Sequence, residues 1–416
     1  MYEKKILPNG VRIVSEKMSH VRSAAVGIWV GVGSRHEGRG EAGAAHFIEH
    51  MLFKGTERHS ASELAGIMDG IGGQINAFTT RESTCFYARV LDTHLDTAVD
   101  LLSDMFFSSM MREEDVKNEC GVIGEEIDMY DDTPEDLVVE RLLKKSLPGA
   151  LGRPVLGGKA SIAAMSGEFL RDFMDRNYTA DRVVIALCGS FEDSHLSNIE
   201  QLFSGLGTSK RPKMRPGRYL PSLVEKRKSI EQNHLCLAFP GLAAGDERRF
   251  AFQLMSSILG GGMSSRLFQS VREKEGLCYS IYTFQAGFSD VGLLGIATAL
   301  GRETEEKALR LISDEISRFL DSGVTSEELG RAREQVKSNI VMMMESTSSR
   351  MNKLGSGELL LGGSYSPDEL IAKYDAVTSD DILTLARRLL TIDKLSFSAV
   401  GRVRRAEEYA SILSNK

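Results

Sequence analysis

Hydrophobic positions along this chain follow two different periods. Short runs of alternating or β-branched residues, such as residues 24–30, predict β-strands. Longer runs with a period of about 3.6, such as residues 305–319, predict amphipathic helices. Both patterns occur in the N-terminal half and in the C-terminal half. The mixture predicts an α+β fold in each half.

Similar segments recur at a nearly constant distance along the chain. Residues 101–104 resemble residues 311–314, residues 166–170 resemble residues 379–383, and residues 182–189 resemble residues 394–401, which gives offsets of 210, 213 and 212 residues. Such offsets predict a tandem duplication of one domain. We therefore predict a first domain over residues 1–205, a linker rich in Pro, Gly and basic residues over 206–228, and a homologous domain over 229–416.

Two histidines on one predicted helix suggest a metal site. In the run His46-Phe47-Ile48-Glu49-His50 the imidazoles are four residues apart and share a helical face, and Glu49 is close enough to handle a metal-bound water. The chain has eight histidines, and no other two of them are four residues apart. Zinc hydrolases use ligands of this kind, whereas two unrelated surface histidines are the alternative interpretation of the motif alone.

A third ligand must come from another part of the chain, because a catalytic zinc normally takes three protein ligands. The best candidates lie on a predicted helix over residues 113–130, which begins with acidic residues. Glu119 and Glu126 are seven residues apart, so both carboxylates share one face of this helix, and Val122 and Ile123 are expected to pack between them. An ordinary acidic helix with a solvated face is the alternative.

These motifs resemble the pitrilysin-type peptidases (family M16, the inverzincins), which carry the inverted motif His-x-x-Glu-His and a Glu ligand some 75 residues later. The strings HFIEHMLFKGT at 46–56 and NAFTTRE at 76–82 are similar to those of the mitochondrial processing peptidase beta subunit and its single-chain bacterial relatives. The resemblance covers essentially the whole chain. It implies two duplicated α+β domains that enclose a peptide chamber.

The resemblance also assigns roles around one zinc ion per chain. It makes Glu126 the third ligand beside His46 and His50, and it implies that zinc-bound water attacks a peptide carbonyl. Glu49 would be the general base, and it would return the proton to the leaving amine. Glu119 would support catalysis by steadying a ligand or the base.

The second half has no histidine at 250–259, the segment that aligns with the metal-binding helix, so it is expected to bind no metal. The resemblance implies that Arg272 and Tyr279, which follow the glycine-rich run 260–262, reach the substrate. The guanidinium would hold a peptide carbonyl, and the phenol would donate to the oxyanion. An exposed Arg and a packed Tyr remain the alternative.

Substrate binding is predicted at three further places. The strand pattern at 73–79 suits a sheet edge to which an extended peptide adds, through Asn76, Ala77 and Phe78. The resemblance places Phe53 at the pocket after the cleaved bond, and it matches Asp136 and Glu140 to an acidic pair that grips an upstream arginine. An ordinary core Phe and a solvated acidic face are the alternatives.

Composition restricts the partners. The chain is 42% hydrophobic and 26% charged with a net charge of -7, so its composition gives no indication that it binds nucleic acid. It has no apolar run long enough for a membrane span and no apolar leader, which predicts a cytoplasmic protein. Five scattered cysteines predict reduced thiols. Because the chain carries both the metal motif and its own glycine-rich loop, we expect a monomer or homodimer without a different subunit.

Two other functions stay open from the sequence. A relative that keeps the fold and loses the metal would be a binding or structural protein, and the complete His46, Glu49, His50 and Glu126 set argues against it. The second is a zinc amidase acting on small molecules. The predicted edge strand and chamber favour a peptide substrate instead. The preferred prediction is a zinc endopeptidase that cleaves short unfolded peptides or presequence-like segments.

Overall fold

The computed structural model describes residues 2–209 and 214–414. The chain forms two compact units, and each unit combines three separate segments of the sequence. Unit 1 contains Met1–Ile127, Arg153–Arg215 and Ile340–Pro367. Unit 2 contains Asp128–Gly152, Pro216–Asn339 and Asp368–Lys416.

Unit 1 is built on a mixed six-stranded sheet in the order β1-β2-β6-β3-β5-β4. The β2–β6 pair is parallel and the other neighbouring pairs are antiparallel. β4 therefore lies at one edge of the sheet and β1 at the other. The strands are β1 (Glu3–Ile6), β2 (Arg12–Lys17), β3 (Ser23–Val30), β4 (Gln74–Thr79), β5 (Thr84–Leu91) and β6 (Val183–Gly189).

Helices cover both faces of this sheet. One face and its helices enclose the main core, to which α1, α3 and α7 contribute buried side chains. The other face packs against α12, which lies on β2, β3 and β6. The helices of unit 1 are α1 (Ala44–Leu52), α2 (Ala61–Gly70), α3 (Leu95–Ser108), α4 (Glu113–Asp132, of which unit 1 holds the part up to Ile127), α6 (Lys159–Ile162), α7 (Gly167–Asn177), α8 (Asp193–Phe203) and α12 (Thr347–Leu361).

Unit 2 is built on a five-stranded sheet in the order β7-β11-β8-β10-β9. The β7–β11 pair is parallel and the other pairs are antiparallel. β9 is therefore an edge strand, as β4 is in unit 1. The strands are β7 (Leu223–Arg227), β8 (Asn233–Pro240), β9 (Cys278–Gly287), β10 (Gly292–Leu300) and β11 (Ser396–Gly401).

Helix α5 packs on β8 and β11 of this sheet, and its apolar side chains share a core with both strands. Helix α9 lies against β9. The helices that belong wholly or mainly to unit 2 are α5 (Pro134–Ser146), α9 (Arg249–Gly260), α10 (Glu305–Ser322), α11 (Ser326–Met343), α13 (Pro367–Asp375), α14 (Ser379–Leu389) and α15 (Ala406–Ser414).

The predicted fold class is confirmed, because each unit is a sheet packed with helices. The residue boundaries stay a prediction, and the units do not follow them: residues 128–152 pack in unit 2 and residues 340–367 pack in unit 1. Part of the predicted linker, 206–228, forms strand β7, and residues 210–213 of it lie outside the described residues.

All five cysteines are free thiols, and Cys85, Cys188 and Cys236 are buried. Across residues 2–209 and 214–414, every helix is too short or too polar to span a bilayer.

Candidate metal centre

Helix α1 carries the two predicted histidine ligands on one face. His46, Glu49 and His50 share this face, because residues three and four apart are neighbours on a helix. The other faces are apolar and fully buried, which fixes how the helix lies on the sheet; they carry Phe47, Ile48, Met51 and Leu52. The imidazole rings of His46 and His50 are adjacent, with their centroids 4.6 Å apart.

Helix α4 brings Glu126 to the same place. Glu126 Oε2 lies 3.6 Å from His46 Nε2 and 3.7 Å from His50 Nε2. Ligand atoms bound to a tetrahedral zinc at about 2.0–2.1 Å stand about 3.3 Å from one another, so these two distances need to shorten by only a few tenths of an ångström. Among the described residues, these three form the only group of at least three His, Cys, Asp or Glu side chains close enough to hold a metal ion.

Glu119 binds the back of His50. Its Oε2 accepts a hydrogen bond at 3.0 Å from His50 Nδ1, when that nitrogen carries the proton. Lys54 Nζ forms an ion pair at 2.6 Å with the other carboxylate oxygen of Glu119. Glu119 is only 5% exposed, so the lysine compensates a buried charge. This carboxylate–histidine pair directs the Nε2 lone pair of His50 toward Glu126, as is usual for zinc ligands.

The packing predicted between the two glutamates is only half correct. Ile123 is fully buried in the core of unit 1, but Val122 is 51% exposed. The reason is geometric: Ile123 and Val122 lie on opposite sides of the line that joins the two carboxylates, so one side faces the core of unit 1 and the other faces solvent.

His46 has the electrostatic character that a metal ligand requires. Burial and the neighbouring His50 lower its pKa from 6.5 to about 3, so the imidazole is neutral at physiological pH and Nε2 can offer a lone pair. Its Nδ1 is buried and has no hydrogen-bond partner among the described residues. The donor set of two imidazoles and a carboxylate fits zinc.

Glu49 lies next to the ligands without joining them. Burial raises its pKa above 4.5, and a hydrogen bond from Thr79 opposes the shift. Thr79 Oγ1 donates to Glu49 Oε2 at 2.5 Å. A carboxylate with a raised pKa beside a metal is suited to accept and return a proton near neutral pH.

The N-terminus of α1 is held by a distant carboxylate. The N-cap residue Gly43 has no side chain, and it adopts φ 94, where a Cβ would come within 2.7 Å of the Leu156 carbonyl oxygen. Glu37 supplies the cap instead, because its two oxygens accept from the amides of Gly43 (2.9 Å) and Ala45 (3.0 Å). Glu37 is 4% exposed, and burial raises its pKa to about 7.

The residues predicted to contact substrate in unit 1 lie on β4 and at the end of α1. The side chains of β4 alternate, so Ala77 packs into the core beside α1 whereas Phe78 packs edge-on against Trp29 on the opposite face. Asn76 is exposed, and its Oδ1 accepts from the amide of Ala77 at 2.8 Å. Phe53 ends α1 and is partly buried against the core.

The remaining predicted residues lie in unit 2. Arg272 sits on a short π-helix, Phe268–Glu273, and its guanidinium lies 4.5 Å from the ring centroid of Phe268 and 5.2 Å from that of Tyr279. Tyr279 is 78% exposed. Asp136 and Glu140 are on consecutive turns of α5, the first exposed and the second half-buried. Their roles stay predictions.

Sequence reasoning gave no role to three residues that hold this centre together. Thr79 and Lys54 both lie in strings that the resemblance uses, but Thr79 is far in sequence from its partner Glu49, and Lys54 is far in sequence from its partner Glu119. Glu37 is nine residues before His46 in a loop, and no helical pattern connects it to α1. The loop is held in place by Arg153, which donates to the Glu37 and Gly38 carbonyl oxygens, and Gly43 lies close to residues 156–157.

Residues 12–159 match the family described as insulinase (peptidase family M16), and residues 164–336 match the peptidase M16 inactive domain. Uncharacterized zinc protease YmxG of Bacillus subtilis is 42% identical over 396 residues, which cover 94% of this chain and 97% of that protein. The chain belongs to peptidase family M16. A second relative, uncharacterized zinc protease SCO5738 of Streptomyces coelicolor, is 40% identical over 95% of this chain and 88% of its own length.

The fold of this M16 chain is also found in solved structures. A protease from Helicobacter pylori superposes with a TM-score of 0.90 at 18% identity, and the match covers 96% of this chain and 99% of that one. At that identity the likeness concerns the fold alone.

Proposed function

We propose that this M16 chain is a zinc-dependent endopeptidase that cleaves short unfolded peptides. The observation that carries the proposal is the convergence of His46, His50 and Glu126, with Glu49 on the same helical face as the two histidines. Two relatives that align along almost the whole chain bear the name zinc protease, which supports the choice of metal.

His46, His50 and Glu126 would hold the zinc. A zinc ion bound there would supply Lewis-acid chemistry, polarising a peptide carbonyl and lowering the pKa of water toward neutrality. Glu119 keeps His50 in the tautomer whose Nε2 is free to bind. Glu126 completes the set with one oxygen and adds the negative charge that two neutral imidazoles lack.

Glu49 moves the proton. In the proposed reaction its carboxylate accepts a proton from the attacking water and then donates it to the leaving amine. Thr79 occupies one oxygen, which leaves the other for this transfer.

The substrate is proposed to be an extended peptide added to the edge of β4, where main-chain hydrogen bonds would hold it regardless of its sequence. Selectivity would come from Phe53 for an apolar residue after the cut, and from Asp136 and Glu140 for a basic residue before it. Arg272 and Tyr279 would contact the peptide carbonyl and the oxyanion, as in the processing peptidases that the sequence resembles.

We further propose that the chain acts in the cytoplasm as a monomer or homodimer, without a different subunit. A binding protein that has lost the metal is disfavoured, because every metal ligand and the base are present and close together. A small-molecule amidase would hydrolyse acyl-amino acids faster than a ten-residue quenched peptide, and the endopeptidase would do the reverse.

The proposal is tested by comparing two conservative variants. Glu126→Gln should lose zinc, because an amide is a poor ligand, whereas Glu49→Gln should keep one zinc per chain and lose turnover by about 100-fold or more. Metal analysis and hydrolysis of the quenched peptide measure both effects. Full zinc and activity in Glu126→Gln would refute the ligand set, and turnover in Glu49→Gln would refute the base.

A further inference from the structure

The carboxylate of Glu49 is held by a single hydrogen bond. Thr79 Oγ1 donates to Glu49 Oε2 at 2.5 Å, and the described residues offer this carboxylate no other hydrogen bond. A glutamate side chain has three rotatable bonds, and its terminal torsion is broad. Without the hydroxyl of Thr79, nothing in the described part of unit 1 would therefore fix which oxygen faces the ligands.

The position of Thr79 in the sheet explains why its hydroxyl points at α1. Thr79 is the last residue of β4, and Ile75 and Ala77, which share its face of the strand, pack into the core beside α1. Its hydroxyl also lies 3.3 Å from that of Thr84, which in turn donates to the Val32 carbonyl oxygen. Because the single proton of Thr84 goes to Val32, the contact between the two hydroxyls is one of packing, and Thr79 donates its own proton to Glu49.

The main chain of Thr79 faces the opposite direction, toward the open edge. The amide of Thr80 donates to the Ser83 carbonyl oxygen, so Thr80 and Ser83 form a hydrogen-bonded pair. In an antiparallel ladder the next pair, Thr79 and Thr84, is then of the non-hydrogen-bonded kind, and the amide and carbonyl of Thr79 point away from β5. One residue therefore presents its hydroxyl to the base and its backbone to the edge.

We propose that Thr79 is a positioning residue for the reaction: its hydroxyl fixes one oxygen of Glu49 so that the other faces the attacking water. The same residue links the base on α1 to β4, the strand on which the peptide is proposed to lie, so the base is positioned relative to the scissile bond. This inference rests on the proposed role of Glu49. It adds a residue that acts through Glu49 rather than on the substrate.

Two substitutions at this site separate the hydroxyl from the rest of the side chain. Thr79→Val keeps the shape and the strand preference of threonine but removes the donor. Thr79→Ser keeps the donor and removes the methyl group. Kinetics on the quenched peptide, zinc content and melting temperature are measured for both variants of the full, zinc-loaded chain.

We expect Thr79→Val to lower kcat by about 10- to 100-fold with KM within about threefold of the parent, because a misplaced base slows the proton transfer and leaves peptide binding intact. Thr79→Ser should stay within about threefold in kcat. Both variants should bind one zinc per chain. A Thr79→Val enzyme with unchanged kcat, a Thr79→Ser enzyme as slow as Thr79→Val, or loss of zinc from Thr79→Val would overturn the inference.

The Glu49→Gln variant distinguishes this failure from failure of the proposed function. If Glu49→Gln is inactive and Thr79→Val is normal, Glu49 is retained as the general base and the positioning role of Thr79 is rejected. If Glu49→Gln turns over normally, the base itself is wrong and the role of Thr79 falls with it.

Discussion

At the scale of single residues, Glu119 is expected to set how tightly the metal is held. Replacing it by Gln removes the charge that pairs with Lys54 and weakens the hydrogen bond to His50. Loss of such an outer partner typically costs about 10- to 100-fold in metal affinity, so Glu119→Gln should raise the zinc dissociation constant by that factor. Competition with a chromophoric chelator measures the change.

Glu125 provides the matched control for this measurement. It lies on the same helix beside Glu126, but it is exposed, so Glu125→Gln should leave zinc affinity within about twofold. Equal affinity in the parent and Glu119→Gln would mean that the contact with His50 does not orient the ligand.

Tyr279 gives a second test at this scale. Tyr279→Phe keeps the ring that lies against Arg272 and removes only the hydroxyl. If that hydroxyl donates to the oxyanion, kcat should fall by about 10- to 1000-fold while zinc content and the melting temperature stay unchanged. Tyr282→Phe, on the same strand, is the control and should behave like the parent. A normal kcat in Tyr279→Phe would contradict the role in oxyanion binding that the resemblance gives to this residue.

At the scale of elements, the cap on α1 makes stability depend on pH. The pKa of Glu37 is raised from 4.5 to about 7 in the folded chain, so the folded state binds this proton more tightly than the unfolded state. Its contribution to the free energy of unfolding is therefore full below about pH 4.5 and is lost as the pH rises through about 7. The shift corresponds to about 3 kcal/mol.

Glu37→Gln should remove this dependence. The unfolding free energy of the parent minus that of the variant should fall by about 3 kcal/mol between about pH 5 and about pH 8, measured by denaturant titration in the presence of a chelator. The titration of the histidines contributes equally to the unfolding free energies of parent and variant, so it cancels in the difference. Glu63, whose pKa is lowered by the capping box on α2, is a control of opposite sign: its contribution is lost as the pH falls. A flat difference for Glu37→Gln would mean that Glu37 ionises normally.

The elements differ in how far the sequence could predict them. Helices α1 and α4 were predictable because their apolar positions repeat at the helical period and because α4 begins with Glu113, Glu114 and Asp115. The two histidines were predicted from residue types at helical spacing, whereas the choice of Glu126 rather than Glu119 as third ligand came from the resemblance. The cap from Glu37 and the bond from Thr79 were not predictable, since each joins residues whose neighbourhood depends on how a loop or a strand packs.

At the scale of the whole molecule, local patterns predicted two α+β units but not which segments build each one. Strand β7 lies in a stretch whose Pro, Gly and basic residues indicate a linker, and its place in the sheet comes from parallel pairing with the distant strand β11. Helix α12 has a weak amphipathic pattern of its own, with Gly355 and Gly357 in its sequence. Its packing on the sheet of unit 1 requires a close approach at Gly355, because a Cβ there would collide with the Trp29 ring.

Helix α12 is therefore expected to be necessary for the fold of unit 1. Met351 and Leu354 are buried against the sheet, and Trp29 Nε1 donates to Met351 Sδ at 3.5 Å. Ion pairs fix both ends of the helix: Arg350 Nη1 lies 2.8 Å from Glu16 Oε1, and Lys4 Nζ lies 2.8 Å from the buried Glu358. A fragment of residues 1–205 lacks all of these contacts and would expose the apolar face of β3 and β6.

The single tryptophan of the chain reports on this contact directly. Trp29 is 4% exposed in the folded chain. In the isolated 1–205 fragment we expect its fluorescence to shift to the red, the melting transition to broaden or disappear, and peptidase activity to be absent. Adding residues 206–416, which contain α12, should shift the emission back to the blue and restore zinc-dependent activity.

A peptide of residues 340–367 separates the role of α12 from that of the rest of the second half. It supplies the third segment of unit 1, Ile340–Pro367, which contains α12. It should therefore restore the blue emission and the melting transition of the 1–205 fragment. A peptide in which Gly355 is replaced by Leu should fail to do so, because the added side chain cannot fit beside Trp29. If the fragment alone showed blue emission, a sharp transition and full activity, unit 1 would not need α12, and the first 205 residues would be an autonomous enzyme.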